Sequence, residues 1–390
     1  LRLENLIIKK AKALEEYVIE RRRDFHSFPE VKFEEVRSSK VIEEELLKLG
    51  FKVFKTAGTG VVGVMEGKGE GSVALRADMD ALPIEEEGDL PYRSRVPGKM
   101  HACGHDAHMA MLLGAARIIS ELKDAFEGKV KLIFQPGEEG GGGAKRIVEE
   151  GHLDDVDAIL GIHVWFELPS GVIATRRGAL MASSDGFLIR IRGKGGHGAT
   201  PHLTKDPTAP AADIYNALQK IVSRSLNPLS PVVLSVPVIE GSDAYNVIPD
   251  EVRMMGTLRT FDTKVRDEVM ERMERIVRLY ASAWECEGSL ELSRIPYPPV
   301  VNSPDLAELV LRLGGMLGEI EEADMTMVSE DFAFYLEKVN GVFAFLGIRN
   351  EEKGIIYPHH SPKFNIDESV LWKGVALYAL FAYSYLRSGR

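Results

Sequence analysis

The 390 residues carry 48 lysines and arginines against 59 aspartates and glutamates, a formal net charge of −11, with 45% hydrophobic and 27% charged residues. At roughly 150 residues per domain the length predicts two domains, or three, and a large core, which excludes a small disulfide scaffold, while the composition excludes disordered, collagenous and low-complexity chains. The acidic balance argues against nucleic acid as a partner, since such binding neutralises phosphates with cations, and two distant cysteines, Cys103 and Cys286, are the usage of a reducing compartment.

Residues 3–25 read as an amphipathic helix, in which Glu4, Lys9, Lys10, Lys12, Glu15 and Glu16 interrupt the apolar run that a signal peptide requires. A second helix over 36–49 is stopped by Gly50. Short β-branched strands follow at 51–56, 61–66 and 73–76, the third running into Asp78 and Asp80. A helix at 108–122, a strand at 129–134, a glycine-rich turn, a short helix to 150 and a strand at 158–164 continue the alternation. This predicts an α/β domain, a mainly parallel sheet with helices on both faces.

From 185 the rhythm becomes β-α-β-β-α-β, with strands at 187–192, 231–239, 251–259 and 289–294 and helices at 207–226 and 263–285, the order of a ferredoxin-like unit. Hinge signals at 177–184 and at Pro296, Pro298 and Pro299 bracket it, so it reads as an inserted domain over 181–295 in a discontinuous first domain of 1–180 and 296–390. A helix at 304–317, the segment 329–338, a strand at 342–347 and a last helix at 367–386 complete that first domain. The apolar stretch 375–386 is shorter than the roughly 20 residues of a membrane span, so no membrane contact and a cytoplasmic location are expected.

Three of the ten histidines, His101, His105 and His108, fall in MHACGHDAH at 100–108 together with Cys103. Histidine and cysteine suit borderline-soft divalent metals, and Cys103 and His105 can both face one site from a turn. A helix N-terminus carrying Asp106, or a thiol nucleophile at Cys103, are the competing readings. In QPGEEGGGG at 135–143, adjacent Glu138 and Glu139 point different ways from a loop, so one can coordinate metal while the other moves a proton. The glycines do not form a phosphate loop, because the Lys-Ser/Thr ending is absent and two carboxylates would repel phosphate. Asp78, Asp80, Glu138 and His163 all follow or end strands, and open α/β sheets bind ligands outside the carboxyl ends of their strands.

RADMDALP (76–83), MHACGHDAH (100–108), QPGEEGGGGA (135–144), GIHV (161–164), GKGGHGATPH (193–202), NVIPD (246–250), GTLRT (256–260), SEDFAFY (329–335) and HHSPKF (359–364), in this order, cover nearly the whole chain. On these motifs the chain resembles the zinc-dependent amidohydrolases and carboxypeptidases that include aminoacylase, hippurate hydrolase and the plant hydrolases of auxin conjugates. The resemblance implies a metallopeptidase-like catalytic domain with an inserted dimerisation or lid domain. It implies two divalent metal ions, zinc first, with cobalt, nickel or manganese as alternatives, held by Cys103 as bridging thiolate, His105, Glu139, His163 and His360. Glu138 is then general base and acid, and Asp80 orients a ligand histidine. Asp78 stands where wider relatives have a ligand histidine. His197 would contact the scissile carbonyl from the partner subunit, and Asn246 and Arg259 would hold the substrate carboxylate.

The reaction so implied is hydrolysis of an N-acyl-L-amino acid or short peptide by a homodimer or higher homo-oligomer. An N-acetyl- or N-succinyl-diaminopimelate deacylase on the same metal core is the alternative within enzymes, and a metal or amino-acid binding protein the alternative outside them. Because the inserted domain must bring His197 and Arg259 to the metals, closure on substrate is a further expectation.

Overall fold

The computed structural model describes residues 2–388. Two compact units divide the chain, one of Leu1–Leu180, Val301–Asp324 and Asp331–Arg390, the other of Met181–Val300 and Met325–Glu330.

The first unit is built on an eight-stranded sheet. Edge to edge it runs Lys52–Thr56, Gly60–Glu66, Glu127–Gln135, Lys68–Asp78, Ala158–Pro169, Asn340–Arg349, Ile173–Thr175 and Ile320–Glu322. The four middle strands, from Glu127–Gln135 to Asn340–Arg349, are parallel, as helical crossovers require. The hairpin Lys52–Thr56 and Gly60–Glu66 is antiparallel and pairs antiparallel with Glu127–Gln135, while at the other margin Ile173–Thr175 is antiparallel to Asn340–Arg349 and parallel to Ile320–Glu322. Residues 72–78 are buried without alternation, because both faces of the sheet are covered there. Helices His105–Glu121 and Leu371–Ser388 pack on that strand and on each other.

Local departures from the periodicity have identifiable causes. The expected first helix is two, Arg2–Ala13 and Glu15–Ser27, broken at Leu14, and the second turns Arg22, Phe25 and His26 inward. No glycine or proline marks that break, so pattern alone runs through it. The strand expected at 73–76 extends over Lys68–Asp78, its exposed start reached through a register shift between Lys68 and Ser72. The helix expected at 207–226 is Thr208–Lys220, continued by a π-turn over Ile221–Ser225. Among the described residues, no helix is long and apolar enough to cross a membrane.

In the second unit four antiparallel strands lie in the order Val232–Glu240, Glu251–Thr260, Asp185–Arg192 and Glu287–Leu292, with helices Thr208–Lys220 and Thr263–Ala283. That order, second, third, first, fourth, is the ferredoxin-like arrangement of a β-α-β-β-α-β chain. Phe187, Ile189 and Ile191 alternate inward to meet Met273 and Val277 in a core of its own.

Candidate metal centre

The carboxyl ends of the parallel strands deliver the acidic and imidazole groups. Asp78 closes one strand beside Gln135 of the next, and His163 lies midway along the third, two residues beyond its last pairing with the Asp78 strand. The loops between strand and helix add the rest. Gly104, at φ +86°, joins Cys103 to His105, and a Cβ there would lie 2.4 Å from Val164 Cγ2, so only glycine lets both side chains approach the strand end. Gly143 brings the Glu138–Glu139 loop back onto the backbone, since a Cβ at that residue would sit 1.7 Å from the Pro136 carbonyl oxygen. His360, at φ +64°, donates its backbone N–H to the Ala102 carbonyl at 2.8 Å, which sets its ring beside Cys103.

The five expected ligands come together. Cys103 Sγ lies 3.6 Å from His163 Nε2, and His360 Nε2 lies 3.3 Å from Glu139 Oε1. Donor atoms of Cys103, Glu139 and His360 lie within 4.8 Å of one another, as do those of His105, Glu138 and Glu139. His163 donates from Nδ1 to the Val164 carbonyl at 2.6 Å, which leaves the Nε2 lone pair turned to the cluster. His108, whose donor atom lies within 4.8 Å of those of Asp78, His105 and His163, has both nitrogens engaged: Nδ1 donates to Asp78 Oδ1 at 2.5 Å and Nε2 accepts from the Val164 N–H at 2.9 Å. Asp80 Oδ1 accepts from the Glu138 N–H and Oδ2 from the Glu139 N–H, each at 2.9 Å, and Oδ1 stands 3.4 Å from His105 Nδ1.

The electrostatics of this cluster favour positive charge. Burial, Glu139, Glu138 and Asp78 push the Cys103 thiol well up. Burial opposes protonation of His105, but Asp78, Asp80 and Glu139 push it up to about 10. Both ring nitrogens of His105 and the Oε1 of Glu139 are buried without a hydrogen bond. A cation would reverse this balance, favouring the ionised thiol and giving the orphaned atoms a partner, so the donor set fits divalent metal. Burial and the neighbouring His108 and His359 hold His163 well below the usual range, which keeps its imidazole neutral. Asp78, whose own burial opposes ionisation, is kept strongly acidic by Arg76, His105 and His108. With Arg76 Nη1 donating to its Oδ2 at 2.8 Å, Asp78 is tied into the protein as a carboxylate partner of histidines.

His101 stands apart from these ligands: its buried ring has no hydrogen bond on either nitrogen, and burial lowers its pKa to about 3. His197, Asn246 and Arg259 belong to the second unit. His197 and Asn246 are exposed, on the short pairing of Gly196–His197 with Val247–Ile248. Arg259, half-buried opposite Val233, has its pKa lowered by burial and by Arg294.

Reading by motif missed the supports of the glutamate loop. Glu35 accepts the Gly137 N–H at 3.0 Å and the Thr59 hydroxyl at 2.5 Å, and Lys32 Nζ donates to the Glu139 carbonyl at 3.1 Å. Both lie about a hundred residues from the loop they hold, and their only signal in the sequence is an unremarkable charged stretch.

Comparison with known proteins identifies the family. The pattern of Peptidase family M20/M25/M40 matches residues 74–384. The chain is 43% identical over 377 residues to Thermostable carboxypeptidase 1 of Saccharolobus solfataricus, covering 95% of this chain and 96% of the other. It is 42% identical over 388 residues to IAA-amino acid hydrolase ILR1-like 4 of Arabidopsis thaliana, covering 98% and 88%. The crystal structure of the YXEP protein of Bacillus subtilis, a dinuclear metal binding peptidase from the M20 family, superposes with a TM-score of 0.85 at 34% identity, covering 97% and 99%. The chain therefore belongs to peptidase family M20/M25/M40 and is a hydrolase of amide bonds.

Proposed function

We propose that this protein hydrolyses the amide bond of N-acyl-L-amino acids and releases the free amino acid, using two divalent cations and Glu138 as general base and acid. The observation that carries the reading is the divided duty of two adjacent carboxylates. Glu139 faces His360 and the Cys103 thiol across an electron-rich cluster, while Glu138 Oε1 is held by the Asp331 N–H at 3.3 Å. Cys103, His105, Glu139, His163 and His360 would hold the cations, with Cys103 shared between His163 on one side and Glu139 and His360 on the other. Thiolate, imidazole and carboxylate favour zinc and admit cobalt, nickel and manganese.

Cations held by these residues would supply a lowered water pKa and a polarised amide carbonyl. Glu138 takes the proton of the attacking water and returns it to the leaving nitrogen. Asp80 holds the backbone N–H groups of both glutamates and faces His105, so one carboxylate sets three groups. His197 Nδ1 accepts the Ala199 N–H at 3.0 Å, which puts the ring proton on Nε2, where it can be donated to a developing oxyanion; in this reading it does so in the partner subunit's site.

Arg259 lies beside Arg294, while Asp185 is occupied by a two-pronged contact from Arg266 at 2.6–3.0 Å. Crowded guanidiniums of this kind seek an anion, which supports Arg259, with Asn246, as the holder of the substrate α-carboxylate. The names of the carboxypeptidase and the IAA-amino acid hydrolase fit the same class, an amide whose amine side is an amino acid. The unpaired Cys103 and Cys286 support a reducing, cytoplasmic setting.

The test is amino-acid release from N-acetyl, N-benzoyl, N-succinyl-diaminopimelate and dipeptide substrates, with chelated and re-metallated aliquots. Release of the amino acid from N-acyl substrates that stops on chelation and returns with metal is the expected result. Release that survives chelation but stops on alkylation of Cys103 would replace it with thiol chemistry.

A further inference from the structure

The segment 329–335, singled out in the sequence, enters the reaction described so far only through the Asp331 N–H, yet Asp331 buries its whole side chain against the glutamate loop. Its backbone N–H donates to Glu138 Oε1 at 3.3 Å. Its Oδ1 accepts from Gln135 Nε2 at 2.8 Å and Arg76 Nη2 at 3.1 Å. Its Oδ2 accepts from Gln135 Nε2 at 2.9 Å and from the Ala144 N–H at 3.0 Å. Gln135 precedes the loop and Ala144 follows it, so one carboxylate grips both ends while the adjoining amide holds the side chain between them.

We propose that Asp331 is a positioning residue for Glu138, fixing the 135–144 loop and the direction of its general-base carboxylate; the inference rests on the role given to Glu138 above. The grip extends to the metal cluster. Arg76, which holds Asp331, also donates from Nη1 to Asp78 at 2.8 Å, and Asp78 in turn binds His108 and stands 3.6 Å from His105 Nε2. Gln135 Oε1 is itself fixed by Arg76 Nε at 2.8 Å and by the Tyr335 hydroxyl at 3.0 Å. Only a carboxylate can do this. Two oxygens accept the side-chain amide, the guanidinium and a backbone N–H together, whereas an amide in the same volume turns an NH₂ toward one of those donors.

Asp331→Asn in the full metallated protein is the test, read by kcat, KM, metal content and, on the metal-free chain, hydrogen exchange of residues 135–144. The expected result is a kcat lower by about 10- to 100-fold with KM and metal content unchanged, and exchange in 135–144 faster by about tenfold or more with other segments unaffected. Unchanged exchange there, or a loss of kcat matched by loss of metal or by a raised KM, overturns the proposal. Where Asp331→Asn does not fold, Tyr335→Phe removes only the hydroxyl on Gln135 and is expected to move both readouts in the same direction by about threefold; wild-type values in that variant overturn it equally. Glu138→Gln separates the two failures: turnover that survives in Glu138→Gln sinks the assignment of the base itself, and the catalytic part of the proposal with it, whereas turnover lost in Glu138→Gln but retained in Asp331→Asn sinks the positioning role alone.

Discussion

The adjacent Glu138 and Glu139 meet different partners because the loop that carries them is not helical. Glu139 at ψ 67° and Gly140 at φ 78° break the turn, so the two side chains leave in different directions. Histidines near one another in the sequence diverge likewise: His105 keeps both nitrogens for Asp80 and the cluster, His108 spends both on Asp78 and Val164, and His101 is packed away neutral. Motif reading places all three in one dense group, and nothing in their spacing tells a ligand from its support; the difference is made by which strand end each ring meets. At this scale Glu138→Gln should bind its metals normally, as measured by elemental analysis, while kcat falls by about 100- to 10,000-fold, the usual contribution of a positioned acid-base group. Turnover within about tenfold of wild type would remove Glu138 from its role.

Elements decide how rigidly these groups are held. Glu35 stands at the start of helix Val36–Lys48 and is fully buried, its carboxyl tied to Gly137 and Thr59. Burial and the nearby Asp80 push its pKa up to about 7, against the pull of the Thr59 hydroxyl. The folded chain then holds a proton that the unfolded chain releases above its ordinary 4.5, so stability is lost as pH rises from 4.5 through about 7. In metal-free protein the unfolding free energy of wild type relative to Glu35→Gln should fall by up to about 3 kcal/mol between those pH values. Denaturant titrations at a series of pH values check this, and parallel profiles for the two proteins would refute it. Pattern and turn signals find six of the eight strands of the main sheet and its long helices, because amphipathic periodicity is local, but not the three-residue strands Ile173–Thr175 and Ile320–Glu322, which are too short to show a period. They miss the break at Leu14 and the contact from Glu35 to the glutamate loop, because both depend on what packs against the segment.

For the whole molecule, the proposed reaction calls on residues of two units with separate cores. His197, Asn246 and Arg259 lie in the second unit, while Glu138 and the five proposed metal donors lie in the first. If His197 serves the partner subunit's site, mixing inactive Glu138→Gln with inactive His197→Ala should restore about a quarter of wild-type activity, since half of randomly paired dimers carry one intact site of two. Sedimentation of the same mixture should show a dimer or higher oligomer; no recovery of activity from exchanging subunits would assign His197 to its own chain. The sequence by itself determined the α/β class, the β-α-β-β-α-β order of the inserted unit and the identity of the chemical groups, because hydrophobic period and residue chemistry are properties of short stretches. Only the tertiary structure decided that His108 supports rather than faces the cluster, that Asp78 is bound to Arg76, and that Asp331 and Glu35 brace a loop far from them in the chain. Those assignments depend on which buried donor meets which acceptor, and that pairing exists only once distant segments are packed together.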